Sequence, residues 1–233
     1  MSPATVVRLV SLDVGYTLGE PYGTTLTQRL VELSPLPVRQ AKQIAQQILH
    51  ALDPRNDATG PQTVCAALGI APCAFPHDHR PPGFALWPGA VAAVARIAQV
   101  VPVVTLSNVS HWDERETNVA TLLAPYLRAH HPSWQLGFAK PDPLAVQTVA
   151  RLHGSGPAEV LHVGDSFDYD VRGALAAGSQ ALWITSSLPS AEELRLLAEH
   201  PGRVTVVPNL VRAVRHIEQT LLPSTSSTRS TTS

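Results

Sequence analysis

Short runs of apolar, β-prone residues recur along this chain, and most are followed by stretches with helical spacing. Residues 6–12, 100–106, 159–163, 180–185 and 203–207 predict five strands. Most positions in these runs are apolar, with little polar–apolar alternation, as strands covered on both faces require. Strands alternating with helices predict an α/β fold, a Rossmann-like parallel sheet covered by helices. In such sheets ligands bind at the carboxyl ends of the strands. Asp13, Ser107-Asn108 and Gly164-Asp165 all fall at predicted strand ends, so the topology gathers them at one edge.

The alternation breaks between the first two main strands. Residues 24–33, 37–52 and 60–68 read as helices, and Ala41, Ile44, Ala45, Ile48 and Leu52 follow i, i+3, i+4 spacing. No strand-like run is apparent there. The segment therefore reads as a helical cap inserted after the first strand. Its return path carries Pro76, Pro81, Pro82 and Pro88 and reads as a linker. Gly19 to Gly23 is the expected hinge on the outward path. The expected organisation is a core of residues 1–19 and 84–222, a cap of residues 20–83, and a Ser/Thr-rich tail, residues 223–233, expected to be disordered.

Composition narrows the function classes. The 233 residues carry a net charge of −1, which gives no electrostatic footprint for nucleic acid. No apolar run approaches the ~20 residues that span a bilayer. The start of the chain shows no secretory pattern, so a cytoplasmic location is expected. Cys65 and Cys73 are the only cysteines and read as reduced thiols. Lysine is scarce, at Lys42 and Lys140 alone. His77-Asp78-His79 looks like a metal pair but lies in the proline-rich linker without a third ligand, and reads as a solvated loop. His111-Trp112 follows Ser107 closely enough to face the site, although packing at a helix start explains it as well.

Four segments carry chemistry. Asp13-Val14-Gly15-Tyr16-Thr17 follows the first strand, and an ionised carboxylate there can act as a nucleophile. Ser107 and Asn108 end the second main strand, where a hydroxyl can donate to an anion. Lys140 sits in Lys-Pro-Asp-Pro, with a proline placed to open the following helix. Gly164-Asp165, followed by Asp168 and Asp170, supplies carboxylates suited to Mg²⁺. Asp168 reads as a solvated or capping acid.

Together and in this order the four segments resemble the haloacid dehalogenase-like (HAD) hydrolase superfamily, with one departure. The nucleophile loop of that family is Asp-x-Asp-x-Thr, and the second Asp is replaced here by Gly15. The resemblance implies Asp13 as nucleophile and Lys140 as its charge partner. Ser107 and Asn108 would bind the substrate phosphoryl group. Asp13, the Gly15 carbonyl and Asp165 would hold Mg²⁺, with Asp170 supporting Lys140 or a metal-bound water.

The implied activity is hydrolysis of a small phosphorylated metabolite through an aspartyl-phosphate, by a monomer or homodimer. Loss of the general acid at position 15 costs ~10²–10⁴-fold for a poor leaving group and little for a good one. Three alternatives remain open from the residues. A haloacid dehalogenase also lacks the second Asp, but a Ser typically stands where Asp165 is. A phosphonatase needs a cap lysine, for which Lys42 is the only candidate. A binding or regulatory protein on an impaired scaffold is the third.

Overall fold

The computed structural model describes residues 6–53, 55, 57–114 and 119–221. The expected disordered tail, residues 223–233, lies outside the described residues.

The first strand, β1 (Leu9–Leu12), is wholly buried, and the chain then forms β2 (Gly19–Tyr22). Three helices follow: α1 (Leu26–Leu33), α2 (Val38–Leu49) and α3 (Gly60–Leu68). The chain returns through β3 (Gly83–Leu86) to α4 (Ala90–Ala98) and β4 (Val103–Ser107). Short α5 (Val119–Leu123), β5 (Ala129–Pro132) and α6 (Ser133–Leu136) precede α7 (Pro143–Leu152) and β6 (Val160–Gly164). The chain ends through α8 (Arg172–Ala177), β7 (Gln180–Ile184), α9 (Ala191–Glu199), β8 (Val204–Val207) and α10 (Leu210–Leu221).

Six parallel strands form one sheet in the order β5-β4-β1-β6-β7-β8. Successive side chains of a strand point to opposite faces, and β1 shows the result. Leu9 packs with Val104, Leu106, Val160 and the α7 residues Ala145, Val146, Val149 and Ala150. Val10 and Leu12 pack on the other face with Val94 and Ile97 of α4 and Val214 and Ile217 of α10. With helices on both faces, apolar residues line both sides of the central strands, and the α/β reading holds.

The insert has a core of its own. Leu26, Leu30, Ala41, Ala45, Leu49, Val64, Cys65 and Leu68 form one buried cluster. Thr25 caps α1 with a reciprocal bond to Gln28, and Gly69 ends α3 in the left-handed region at φ 68°. Cys65 and Cys73 are both free.

Three local readings need correction. The expected hinge at Gly19 is a strand: β2 and β3 pair antiparallel, so a two-stranded ribbon joins the insert to the sheet. A Cβ on Gly19 would lie 2.2 Å from the Ala85 carbonyl, and Pro21 pairs with Phe84; both residues disguise the strand in sequence. The edge strand β5 also went unread, because Ala-His-His-Pro has no apolar run. Finally, His79 is not solvated: its side chain is 2% exposed and pairs with Asp113 at 2.8 Å.

Candidate active site

The loop that carries Asp13 is built where β1 leaves the sheet. The Asp13 amide donates to the Val163 carbonyl at 2.8 Å, which ties the end of β1 to the end of β6. A turn follows, closed by the Tyr16 amide on the Gly19 carbonyl at 2.6 Å, with Tyr16 at φ 57°. A non-glycine residue in that region is uncommon and marks functional loops more often than most. Trp87 supports the turn from the β3 side: its amide donates to the Leu18 carbonyl and its indole to the Tyr16 carbonyl. Tyr16 and Tyr22 are exposed, with the Tyr22 ring lying over Gly83.

The lysine arrives from the next crossover. Asp142 accepts from the Leu144 amide and Pro143 opens α7, so Lys-Pro-Asp-Pro is a helix start. Asn108 and Lys140 exchange two hydrogen bonds: the Asn108 Nδ2 donates to the Lys140 carbonyl at 2.6 Å, and the Lys140 amide donates back to Oδ1 at 2.9 Å. Both ends of the Asn108 side chain are thus engaged in placing Lys140. The Ser107 hydroxyl, one residue earlier, has no partner among the described residues and is half-buried.

The Lys140 ammonium donates to Asp13 Oδ1 at 2.7 Å and to Asp170 Oδ1 at 2.6 Å, and it is 1% exposed. The Thr17 hydroxyl lies 3.1 Å from Asp13 Oδ2 and 3.3 Å from Asp165 Oδ1, bridging the two carboxylates. The Asp165 backbone is fixed by the Trp183 indole, which donates to its carbonyl at 2.9 Å. Oxygens of Asp13, Asp165 and Asp170 lie within 4.8 Å of one another. Asp168 points away, exposed and paired with Arg172 at 2.9 Å.

Asp170 is held most tightly. A widened π-type turn over Phe167–Val171 carries it back beneath β6, where a Cβ on Gly164 would fall 2.2 Å from its carboxyl. Its Oδ1 accepts from Lys140 and from the His162 Nε2 at 3.0 Å, and its Oδ2 from the Ser166 amide at 2.9 Å.

Three carboxylates thus face one ammonium, and their titration differs accordingly. Burial raises Asp13 to about 6, against the opposing pull of Lys140. Burial and the charge of Asp170 also raise Asp165. Burial alone would raise Asp170 too, but the Lys140 ammonium and the His162 bond hold it well below the usual carboxylate range. Burial would lower Lys140, and Asp13 with Asp170 outweigh it, so its pKa rises and it stays charged. Asp13 and Asp165 are therefore the less readily ionised of the three, while Asp170 holds its charge most firmly.

Gly15 lies two residues after Asp13, and a Cβ there would meet nothing within 4 Å. His111, expected to face the site or to pack, has its ring edge-on to Trp112 and Trp134. Its Nδ1 is buried without a partner among the described residues. His162 and Asp113 were missed in the sequence, although His162 is a polar residue inside an otherwise apolar strand, which is a legible signal.

Part of the chain is similar to known proteins. Residues 137–213, which carry Lys140, Asp165 and Asp170, match the HAD-hydrolase-like family. The likeness to the HAD-like hydrolases is carried by these residues. A phosphoserine phosphatase of Thermus thermophilus is 36% identical over 75 residues; this stretch is 32% of the present chain and only 30% of that relative. Solved structures share the fold of this chain, among them a dehalogenase and a phosphatase. One is a 2-haloacid dehalogenase from Pseudomonas syringae pv. Tomato, at 17% identity and TM-score 0.59, covering 91% of this chain and 99% of that one. The other is a HAD phosphatase from Thermococcus onnurineus, at 14% identity and TM-score 0.54, covering 91% and 98%. The HAD-hydrolase YfnB from Bacillus subtilis, solved bound to magnesium, aligns at 17% identity with TM-score 0.55, covering 91% and 99%.

Proposed function

We propose that this protein is a Mg²⁺-dependent phosphatase of small phosphorylated metabolites, with Asp13 as nucleophile. The observation that carries the reading is Lys140, buried and bonded to Asp13 at 2.7 Å, beside the Asp165 carboxylate, which has no cation bonded to it among the described residues.

In this reading an Asp13 oxygen attacks phosphorus while the bond to the leaving group breaks, giving an aspartyl-phosphate and the departing anion. Water then cleaves the acyl phosphate and regenerates Asp13. Lys140 offsets charge on Asp13 and on the transferring group. The hydroxyl of Ser107 donates to a phosphoryl oxygen, and Asn108 keeps Lys140 in place. Residues 20–83 act as the cap that covers the substrate and excludes water.

The donor set fits a hard divalent ion. Asp13 and Asp165 offer buried and half-buried carboxylate oxygens, bridged by Thr17. The Gly15 carbonyl would complete the protein ligands. Asp170, whose oxygens already accept three donors, supports Lys140 instead. The ion would supply charge neutralisation at the transferring phosphoryl group. The dehalogenase likeness concerns the fold; halide departure needs no cation, and the Asp13–Asp165 pair favours the phosphatase reading.

Gly15 shapes substrate choice. With no side chain at this position to protonate the leaving group, groups that depart as stable anions are favoured, such as the carboxylate of an acyl phosphate. The test is hydrolysis of acetyl phosphate and p-nitrophenyl phosphate, with Mg²⁺ or chelator, by the native protein and Asp13→Asn. Turnover requiring both Mg²⁺ and Asp13 is expected. Activity retained in Asp13→Asn, or release of chloride from 2-chloropropionate without metal, overturns the reading.

A further inference from the structure

Among the described residues, His162 is the one imidazole bonded into the network of Asp13, Lys140 and Asp170, and the proposed reaction gives it no task. It lies in the middle of β6, wholly buried, directly across from Ser11 of β1 in the sheet register. Its Nδ1 is 3.1 Å from the Ser11 hydroxyl and its Nε2 is 3.0 Å from Asp170 Oδ1. A neutral imidazole has one donor and one acceptor nitrogen, and the hydrogen bonds each makes decide which is which. The ionised Asp170 carboxylate only accepts, so Nε2 carries the hydrogen. In the neutral ring the Ser11 hydroxyl then donates to Nδ1. An unbroken chain results: Ser11, His162, Asp170, Lys140, Asp13.

We propose that His162 is a positioning residue that assigns the three carboxylates their separate roles. Asp170 has one oxygen bonded to the Lys140 ammonium and His162, and the other to the Ser166 amide. With three donors on two oxygens, its carboxylate is fixed beneath β6. It cannot turn toward the Asp13–Asp165 pair. His162 therefore keeps Asp170 as the anchor that aims Lys140 at Asp13, and leaves Asp13 and Asp165 for the cation. Without the His162 donor, Asp170 loses one of its restraints and Lys140 loses its fixed aim. Ser11 is the outer support that sets the tautomer. This role rests on the phosphatase reading for its kinetic consequence but not for its geometry.

The test uses the full chain with Mg²⁺ and acetyl phosphate. His162→Leu is expected to lower kcat by about 10–100-fold, the usual effect of removing an outer hydrogen-bond partner at such a site. KM and the Mg²⁺ dissociation constant, measured by calorimetry with Mg²⁺ alone, should stay within about threefold. His162→Gln keeps an N–H near the Nε2 position and should recover most of the lost kcat, an effect that a packing role does not produce. Equal losses in the Leu and Gln variants, or kcat unchanged in both, overturn the proposal.

A second readout is independent of turnover. ¹⁵N NMR of the native protein should show the Nε2–H tautomer of His162 with a slowly exchanging proton, and Ser11→Ala should shift that signal. An Nδ1–H tautomer or a rapidly exchanging imidazole proton overturns the assignment even if His162→Leu fails to fold. Absence of Asp13-dependent turnover in the native protein would instead remove the phosphatase reading, with the NMR result still deciding His162.

Discussion

Asp113 and His79 lock the helical insert to the loop that leaves β4. The His79 Nε2 lies 2.8 Å from Asp113 Oδ1, with side chains only 2% and 8% exposed. The same oxygen accepts the Leu26 amide, the first of α1, at 2.8 Å, and Oδ2 accepts the Ser110 hydroxyl at 2.8 Å. One carboxylate six residues after Ser107 thus holds both the outgoing and the returning chain of the insert. Trp112 beside it packs edge-on against Phe75 of the insert core. Asp113→Ala leaves several buried donors without an acceptor. Each such hydrogen bond to a charged group is worth ~1.5–3 kcal/mol. A loss of about 3 kcal/mol in urea denaturation is expected, and a loss under 1 kcal/mol would show that the lock is not structural.

Gly15→Asp should add a function rather than remove one. The open space around position 15 admits a side chain, and the backbone there is not in the left-handed region. A carboxylic acid at this point can protonate a leaving oxygen, an effect worth 10²–10⁴-fold for poor leaving groups. The variant is expected to gain activity on alkyl phosphates by at least tenfold and to change little on acetyl phosphate. A uniform change across both substrates would mean that position 15 does not face the leaving group.

Acid should weaken the fold through two buried histidines. Burial lowers His50 to about 4 despite the nearby charge of Asp113, and burial together with His153 lowers His131 to about 4. The His131 and His153 Nε2 atoms are 2.8 Å apart, so charging both is opposed. In each case the folded pKa lies below the unfolded value of about 6.5, so the unfolded chain takes up protons first. This stability is fully present above pH 6.5 and is lost as pH falls toward 4. Denaturation at pH 7 and pH 5 should differ by on the order of 1–2 kcal/mol for His50, and by less for the more exposed His131, whose charge solvent screens. His50→Gln and His131→Gln should each flatten the dependence, and an unchanged slope in both would assign it elsewhere.

Much of this architecture is legible in the sequence. Buried parallel strands announce themselves as apolar runs, and their ends located Asp13, Ser107 and Asp165 at one edge of the sheet. The Lys-Pro-Asp-Pro helix start was equally plain, because proline and an aspartate cap act locally. What escaped depends on partners distant in sequence. The strand at Gly19–Tyr22 exists because Gly19 admits the β3 backbone, a fact of contact and not of propensity. His79 is buried because Asp113 comes to meet it from the core. Asn108 carries the right chemistry to touch a substrate, but its side chain meets the Lys140 backbone first.

Gly164→Ala should separate the acidic cluster into its parts. The added Cβ would lie 2.2 Å from the Asp170 carboxyl, closer than any real contact of that kind, so Asp170 must move. Movement breaks its bonds to Lys140, His162 and the Ser166 amide together, whereas Asp165, tied through its carbonyl to Trp183, is left in place. A buried ion pair broken from one side costs roughly 3–5 kcal/mol, and overpacking adds to it. The variant should therefore be destabilised by at least about 2 kcal/mol and lose activity, while Asp13 and Asp165 still bind Mg²⁺. Calorimetry with Mg²⁺ on the folded variant checks this directly. Loss of Mg²⁺ binding along with activity would mean that Asp170 holds the cation itself, and the separation of roles argued for His162 would fall with it.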